Sequence, residues 1–252
     1  MKLLTLARDL RRRKAREKHS LFVAEGVRSV EELLRSGLPV TGALVAPQLA
    51  DAPRGQALRT SLSTSGIDVA EVSEKDFRSA AETESPQGVL AIAEVPRRDL
   101  DTLGVGQVCR IILLDAVQDP GNVGTILRTA AALNATATIA LPGTVDLWNP
   151  KVIRSSMGAQ FVHPVLHATA DDTFAFLDRH GIELWSADAG GVEIPKSGVP
   201  SRLAVAVGNE GSGASAAVRA RAKRTVSLPI SSSVESLNVA VATGIILYEL
   251  RA

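Results

Sequence analysis

The helix that closes the chain constrains the fold more than any other stretch. Residues 239–248, VAVATGIILY, are apolar almost all the way round. A helix without a polar face must be buried on more than one side, so it packs on a sheet and against a further surface such as another subunit. Ala240, Ala242 and Gly244 allow close backbone approach. Ahead of it, Val226, Leu228 and Ile230 alternate as a short strand that stops at Ser231-Ser232-Ser233, and Val234-Glu235-Ser236-Leu237-Asn238 leads into the helix. Polar groups therefore crowd into the loop and first helical turn, where unpaired backbone N–H groups point outward. A site is expected there.

At 252 residues the chain is long enough for two domains or one large one. With 45% hydrophobic and 22% charged residues the composition is that of an ordinary globular protein. No apolar run is long enough to span a bilayer, and the basic N-terminus has no apolar segment behind it, so no signal peptide is expected. The single cysteine, Cys109, cannot form an internal disulfide and reads as a core residue, which fits a reducing cytoplasm. Net charge is +1, yet seven of the eleven positions 8–18 are Lys or Arg. Such a segment is either a solvated helix face or a phosphate-binding arm. Aromatic residues, at 3%, are too few for a base-stacking platform, so bound RNA would be held by charge and shape.

After the basic helix, strands are expected at 21–24, 43–46, 67–72 and 88–93. Helices are expected at 27–36, stopped by Gly37, at 56–65, and at 74–80 behind a Ser73 cap. This alternation indicates an α/β domain. The Pro- and Gly-containing stretch 95–107 reads as a linker between a domain over 1–94 and another over 108–252.

In the second half, 109–114 is a continuous apolar run, as in a strand buried on both faces of a parallel sheet. It ends in the polar stretch 115–125, which contains Asp119-Pro120-Gly121-Asn122-Val123-Gly124, and a helix runs to Leu133 with Asn134 as its left-handed stop. Glycines opening a helix after a strand suit anion binding, but no dinucleotide fingerprint or P-loop is present. Further strands are expected at 137–141, 161–165, 183–186 and 203–207, with helices at 172–180 and 215–222. His163 and His167 are separated by Pro164 in a strand context, and no Cys/His/carboxylate cluster has metal-site spacing, so no metal is expected. A G-x-S-x-G hydrolase elbow is also missing. Three polar loops after three apolar strands remain: 119–128, 208–213 and 231–238. In an open parallel sheet they meet at the carboxyl edge, where ligands bind.

On these residues the chain resembles the SpoU (TrmH-like) branch of the SPOUT RNA methyltransferases. The similar motifs are DPGNVGTILRTA (119–130), VGNEGSG (207–213) and LPISSSVESLNVAVA (228–242), with NPKVIRSSMGAQF (149–161) between them. HSLFVAEGVRSVEELL (19–34) resembles the family's N-terminal substrate-binding domain. Ile230 stands where methionine is usual, and Ser232 where glycine is. The resemblance implies an α/β fold: a C-terminal parallel-sheet SPOUT domain with a trefoil knot, a smaller N-terminal α/β RNA-binding domain, and a homodimer. It implies S-adenosylmethionine as cofactor, held by Gly208, Leu228, Ile230 and Leu237 with Leu141 adjacent. It implies a catalytic group of Arg128, Asn122, Glu210, Ser236 and Asn238. Arg128 either removes the ribose hydroxyl proton or holds the neighbouring phosphate, and Glu210 orients it. RNA contacts fall to Arg11, Arg12, Arg13, Lys14, Arg16 and Lys18 of the basic arm and to Arg154.

Three readings follow. The first is an S-adenosylmethionine-dependent RNA ribose 2′-O-methyltransferase acting on ribosomal RNA, with transfer RNA as the alternative substrate. The second is a catalytically silent RNA-binding module of the same fold. The third is a nucleotide-dependent oxidoreductase, which the missing fingerprint disfavours.

Overall fold

The computed structural model describes residues 2–251, which divide into two compact units. The first comprises residues 2–97 and 148–161, the second 98–147 and 162–251. The boundary thus falls inside the stretch read as a linker, while 148–161 groups with the first unit and not with the rest of 108–252.

The chain opens with helices α1 (Lys2–Leu10) and α2 (Arg13–His19), followed by strand β1 (Leu21–Glu25) and helix α3 (Val27–Ser36). Gly37 ends α3 at φ 75°, a conformation that costs glycine little. Strand β2 (Val40–Val45), α4 (Pro53–Thr64), β3 (Val69–Glu71), α5 (Glu74–Ala80) and β4 (Val89–Glu94) complete this part. Ser73 caps α5 by accepting from the Asp76 N–H at 3.1 Å. The four strands form one sheet in the order β1-β4-β2-β3. β4 runs antiparallel to both neighbours, while β2 and β3 are parallel. Its core joins Ala7 and Leu10 of α1 to Val23, Leu44, Leu90 and Ile92 of the sheet and Phe77 of α5.

In the second unit, β5 (Cys109–Asp115) runs into α6 (Pro120–Ala132), then β6 (Ala137–Ala140). Asn134 closes this helix region at φ 56°. The chain next enters the first unit for α7 (Pro150–Ser156), which packs on β1. Flanking aromatic side chains fix that segment: the Phe22 ring lies 4.6 Å from Trp148 and 5.5 Å from Phe161, centroid to centroid. A short helix, α8 (Ala159–Val162), leads back to β7 (Val165–His167), α9 (Ala170–Arg179), β8 (Glu183–Glu193), β9 (Arg202–Gly208), α10 (Ala216–Arg221), β10 (Arg224–Ser227) and α11 (Val239–Glu249). The sheet order is β10-β8-β9-β5-β6-β7, and every pairing is parallel. Residues 111–114 of β5 are buried along their whole length, as a parallel strand covered on both faces requires.

Three local expectations need correction. Residues 161–162 are helical, and the strand expected at 161–165 begins only at Val165. Pro164 has no N–H to donate to a ladder, though its carbonyl accepts from Thr138 N. β8 continues to Glu193, well past Ser186, because β10 pairs along it. Gly191 lets the two backbones close: a Cβ there would lie 2.7 Å from the Val226 carbonyl carbon. Finally, β10 stops at Ser227, so Leu228 and Ile230 lie outside the sheet, with Pro229 between them unable to donate.

Candidate active site

In a parallel sheet the loops after β5, β8, β9 and β10 leave from the same edge. The loop after β9 is a tight turn. Asn209 and Gly213 exchange backbone hydrogen bonds at 3.0 and 2.9 Å, closing a small ring. A Cβ on Gly208 would sit 2.1 Å from both Ala214 N and the Gly213 carbonyl carbon, so only glycine fits beneath the ring. The Asn209 side chain holds both sides. Its Oδ1 accepts from Gly211 N at 3.0 Å and Ser212 N at 3.1 Å, and its Nδ2 donates to the Ala116 carbonyl at 3.0 Å. The Asp115 carboxylate, at the end of β5, accepts from Ser215 N at 2.6 Å and fixes the start of α10.

Glu210 projects from this ring into the loop after β5. Its carboxylate accepts from Gln118 N at 3.3 Å, Asp119 N at 3.2 Å and the Asn122 side-chain amide at 3.0 Å. Burial works to raise this carboxyl, but the donors Asn122 and the N–H groups of Glu210, Asp119 and Gln118 outweigh it and hold it below the ordinary carboxylate value. Asn122 is set by the first turn of α6, where Asp119 caps the helix by accepting from Asn122 N at 2.8 Å. The third loop joins through Asn238, whose Nδ2 donates to Asn122 Oδ1 at 2.8 Å. Asn238 Oδ1 also caps α11, accepting from Ala240 N at 2.9 Å and Val241 N at 3.3 Å. Asn238, Asn122 and Glu210 thus form one hydrogen-bonded chain across all three loops foreseen in the sequence.

Beside this chain lies a cavity of about 590 Å³. Gly208, Leu228, Ile230 and Leu237, expected as cofactor contacts, line it, as do Glu210, Ser236 and Asn238. Val207, Val226, Ala242 and Ile246 add apolar wall. Leu141 does not reach it: the side chain is 2% exposed and belongs to the core between the sheet and α9, so its expected cofactor contact is withdrawn. Arg128 lines neither the cavity nor the hydrogen-bonded chain. It is exposed on α6, six residues beyond Asn122, and has no ion-pair partner among the described residues. Asp188, at the cavity wall, escaped the sequence reading. The signal was available, since Asp188 directly follows the expected strand 183–186 and Ala187, but it falls outside the three polar loops and the motifs that carry the resemblance.

In the basic arm, Arg11 is paired with Glu82 at 2.9 Å, Arg12 with Asp9 at 2.5 Å and Arg13 with Glu17 at 2.7 Å. Arg16 is 4% exposed and donates to the Leu10 and Arg11 carbonyls, both at 2.8 Å. It closes the C-terminus of α1 and offers no surface charge, which removes it from the expected RNA contacts. Lys14, Lys18 and Arg154 are exposed. His163 is buried against the Thr138 hydroxyl, and burial together with the Arg98 charge lowers it to about 4. Among the described residues no group of three His, Cys, Asp or Glu side chains is placed to hold a metal, and no helix is long and apolar enough to cross a membrane.

Comparison with known proteins accords with this geometry. The model of the SpoU rRNA Methylase family matches residues 110–248, and that of the MRM3-like substrate binding domain matches residues 5–91. The chain is 35% identical over 248 residues to the 23S rRNA (guanosine(2553)-2'-O)-methyltransferase of Bacillus subtilis, covering 97% of this chain and 94% of that protein. Among solved structures it is similar to the SpoU methyltransferase AviRb of Streptomyces viridochromogenes in complex with AdoMet, with a TM-score of 0.90 at 28% identity, covering 98% of this chain and 96% of the other. An AdoMet-bound rRNA methyltransferase from Sinorhizobium meliloti matches with a TM-score of 0.84 at 28% identity, over 99% and 94% of the two chains. The four-stranded unit, the parallel sheet and the motif loops are those of one lineage: the chain belongs to the SpoU rRNA methylase family.

Proposed function

We propose that this protein is an S-adenosylmethionine-dependent methyltransferase that modifies a ribose 2′-hydroxyl of ribosomal RNA. The observation that carries the reading is the Asn238–Asn122–Glu210 chain, which ties the three motif loops together beside a cavity lined by the second and third of them. The cavity suits the cofactor. Its volume is that of a small-ligand site, its apolar walls suit an adenine ring, and its charged lining residues are the acids Asp188, Glu210 and Glu235, without Lys or Arg. S-adenosylmethionine supplies a methyl group on a positively charged sulfur, a leaving group already activated for displacement.

The protein's task is alignment of that methyl group with the ribose oxygen. Leu228, Ile230 and Leu237 form the wall, and Gly208 permits the tight ring beside it. Glu210 acts on Asn122 and the backbone of the first loop, since the hydrogen bonds of its carboxylate go there and not to Arg128. Arg128 presents five N–H donors and no acceptor. We assign it to gripping the phosphate next to the target ribose and stabilising the developing alkoxide, as the hydroxyl proton passes to solvent water and the methyl–sulfur bond breaks. Ser236, exposed at the cavity rim, completes the RNA-facing loop. The first unit, with Lys14, Lys18 and Arg154 exposed, contributes RNA contacts. The names of the similar proteins, written for 23S rRNA, favour ribosomal over transfer RNA. We also propose the family's knotted C-terminus. In support of it, α11 packs on α6 and β9, and the Leu250 carbonyl accepts from Arg110 of β5 at 2.8 Å. A homodimer through α11 and a cytoplasmic location, where ribosomal RNA is found, complete the reading.

The test is transfer of tritiated methyl to total RNA. Arg128→Ala is expected to lower turnover by on the order of 10²–10⁴-fold, while calorimetry shows S-adenosylmethionine binding retained. Undiminished turnover in that variant would overturn the assignment.

A further inference from the structure

The cavity holds one carboxylate whose capacity the fold leaves partly unused. Asp188 follows Ala187, the last residue of β8 paired with β9, and it is half-buried in the cavity wall. Its Oδ1 accepts from Gly190 N at 3.0 Å, which fixes the side-chain direction. Its Oδ2 lies near Gly213, 3.3 Å from where a Cβ on that glycine would stand, and has no hydrogen-bond or ion-pair partner among the described residues. Gly213 therefore keeps open the space in front of this oxygen. The other two lining acids differ. Glu210 is engaged by three donors of the first loop, and Glu235 is exposed. No Lys or Arg lines the cavity, so no protein cation neutralises Asp188 there.

A half-buried carboxylate without a counter-charge favours a cationic ligand. We propose that Asp188 is a specificity-determining residue that recognises a positive charge on the methyl donor. The inference rests on the cavity being the cofactor site. Two sources of that charge exist in S-adenosylmethionine, the α-ammonium and the sulfonium, and the experiment separates them.

Asp188→Asn keeps the Oδ1 acceptor for Gly190 N, removes the charge and replaces the free oxygen by an amide NH2 of nearly the same size. Wild type and variant are titrated calorimetrically with S-adenosylmethionine, which carries both cations. S-adenosylhomocysteine keeps only the ammonium, and 5′-methylthioadenosine has neither. We expect the variant to bind S-adenosylmethionine about 10- to 100-fold more weakly with 5′-methylthioadenosine affinity unchanged. An equal loss for S-adenosylhomocysteine supports pairing with the ammonium, and a loss confined to S-adenosylmethionine supports pairing with the sulfonium. Equal losses for all three ligands would overturn the proposal in favour of contact with the shared nucleoside or a distorted pocket. Unchanged affinities would overturn it outright. If the wild type itself bound no S-adenosylmethionine, the methyltransferase reading would fall, and this proposal with it.

Discussion

Glu210 shows how one side chain can hold two loops together. Three donors from the first loop converge on its carboxylate, and they outweigh the opposing effect of burial to keep its proton affinity below the ordinary value. A carboxyl whose folded-state value is depressed adds stability above the unfolded value and loses it as pH falls through the folded one. Thermal melts of wild type and Glu210→Gln should therefore differ most near neutrality, and the gap should close as pH falls below about 4.3. A gap that stayed constant down to pH 3 would show that the charge contributes nothing. At this scale the polar residues were legible in the motifs, but their pairing was not. Glu210 was expected to orient Arg128, and it instead binds Asn122 and two backbone N–H groups, because partners 88 to 92 positions apart are chosen by the closing of loops.

Among elements, the basic arm is where local pattern and tertiary structure part company. Residues 8–18 read as one helix with a charged face, whereas α1 ends at Leu10 and α2 starts at Arg13. Arg8 and Arg11 reach Asp76 within α5 and Glu82 just after it, 68 and 71 positions away, and Arg16 turns inward to satisfy the orphan carbonyls at the end of α1. The arm's arginines thus divide from its lysines. Arg16→Met leaves those carbonyls unpaired and should cost about 1.5–3 kcal/mol in urea melts. The Lys14→Gln, Lys18→Gln double variant should melt as wild type does but bind ribosomal RNA with a shallower salt dependence, by about 0.7–0.9 in log–log slope per charge. The opposite pattern, a stable Arg16 variant and an unaltered slope in the lysine variant, would make the arm a solvated face with no part in RNA binding. The buried strands and the caps at Ser73 and Gly37 were legible because each depends on neighbours a few residues away. The length of β8 and the loss of the strand expected at 161–165 were not, since a partner strand decides the first and Phe22, far earlier in the chain, takes up Phe161.

For the whole molecule, the closing helix returns as the deciding feature. Ala240, Thr243, Ile246 and Leu247 bury one side of α11, yet Val241, Ile245 and Tyr248 remain 52%, 40% and 52% exposed. Their spacing of four and three residues places them in a single stripe, and an apolar stripe of this kind marks an association surface. The same helix carries Asn238 at its start and supplies Ala242 and Ile246 to the cavity, so a partner covering the stripe would rest on the helix that forms part of the cavity wall. Covering by a second copy of α11 therefore predicts linked outcomes. Wild-type protein at micromolar concentration should sediment as a dimer, and Val241→Asp with Ile245→Asp should sediment as a monomer. The monomer should also bind S-adenosylmethionine more weakly, by about tenfold if association contributes 1.4 kcal/mol to the order of the wall. Sedimentation velocity and calorimetry on the same samples decide between the possibilities. A monomeric wild type would leave the stripe to another partner, whereas a monomeric variant with undiminished affinity would separate the dimer from the site.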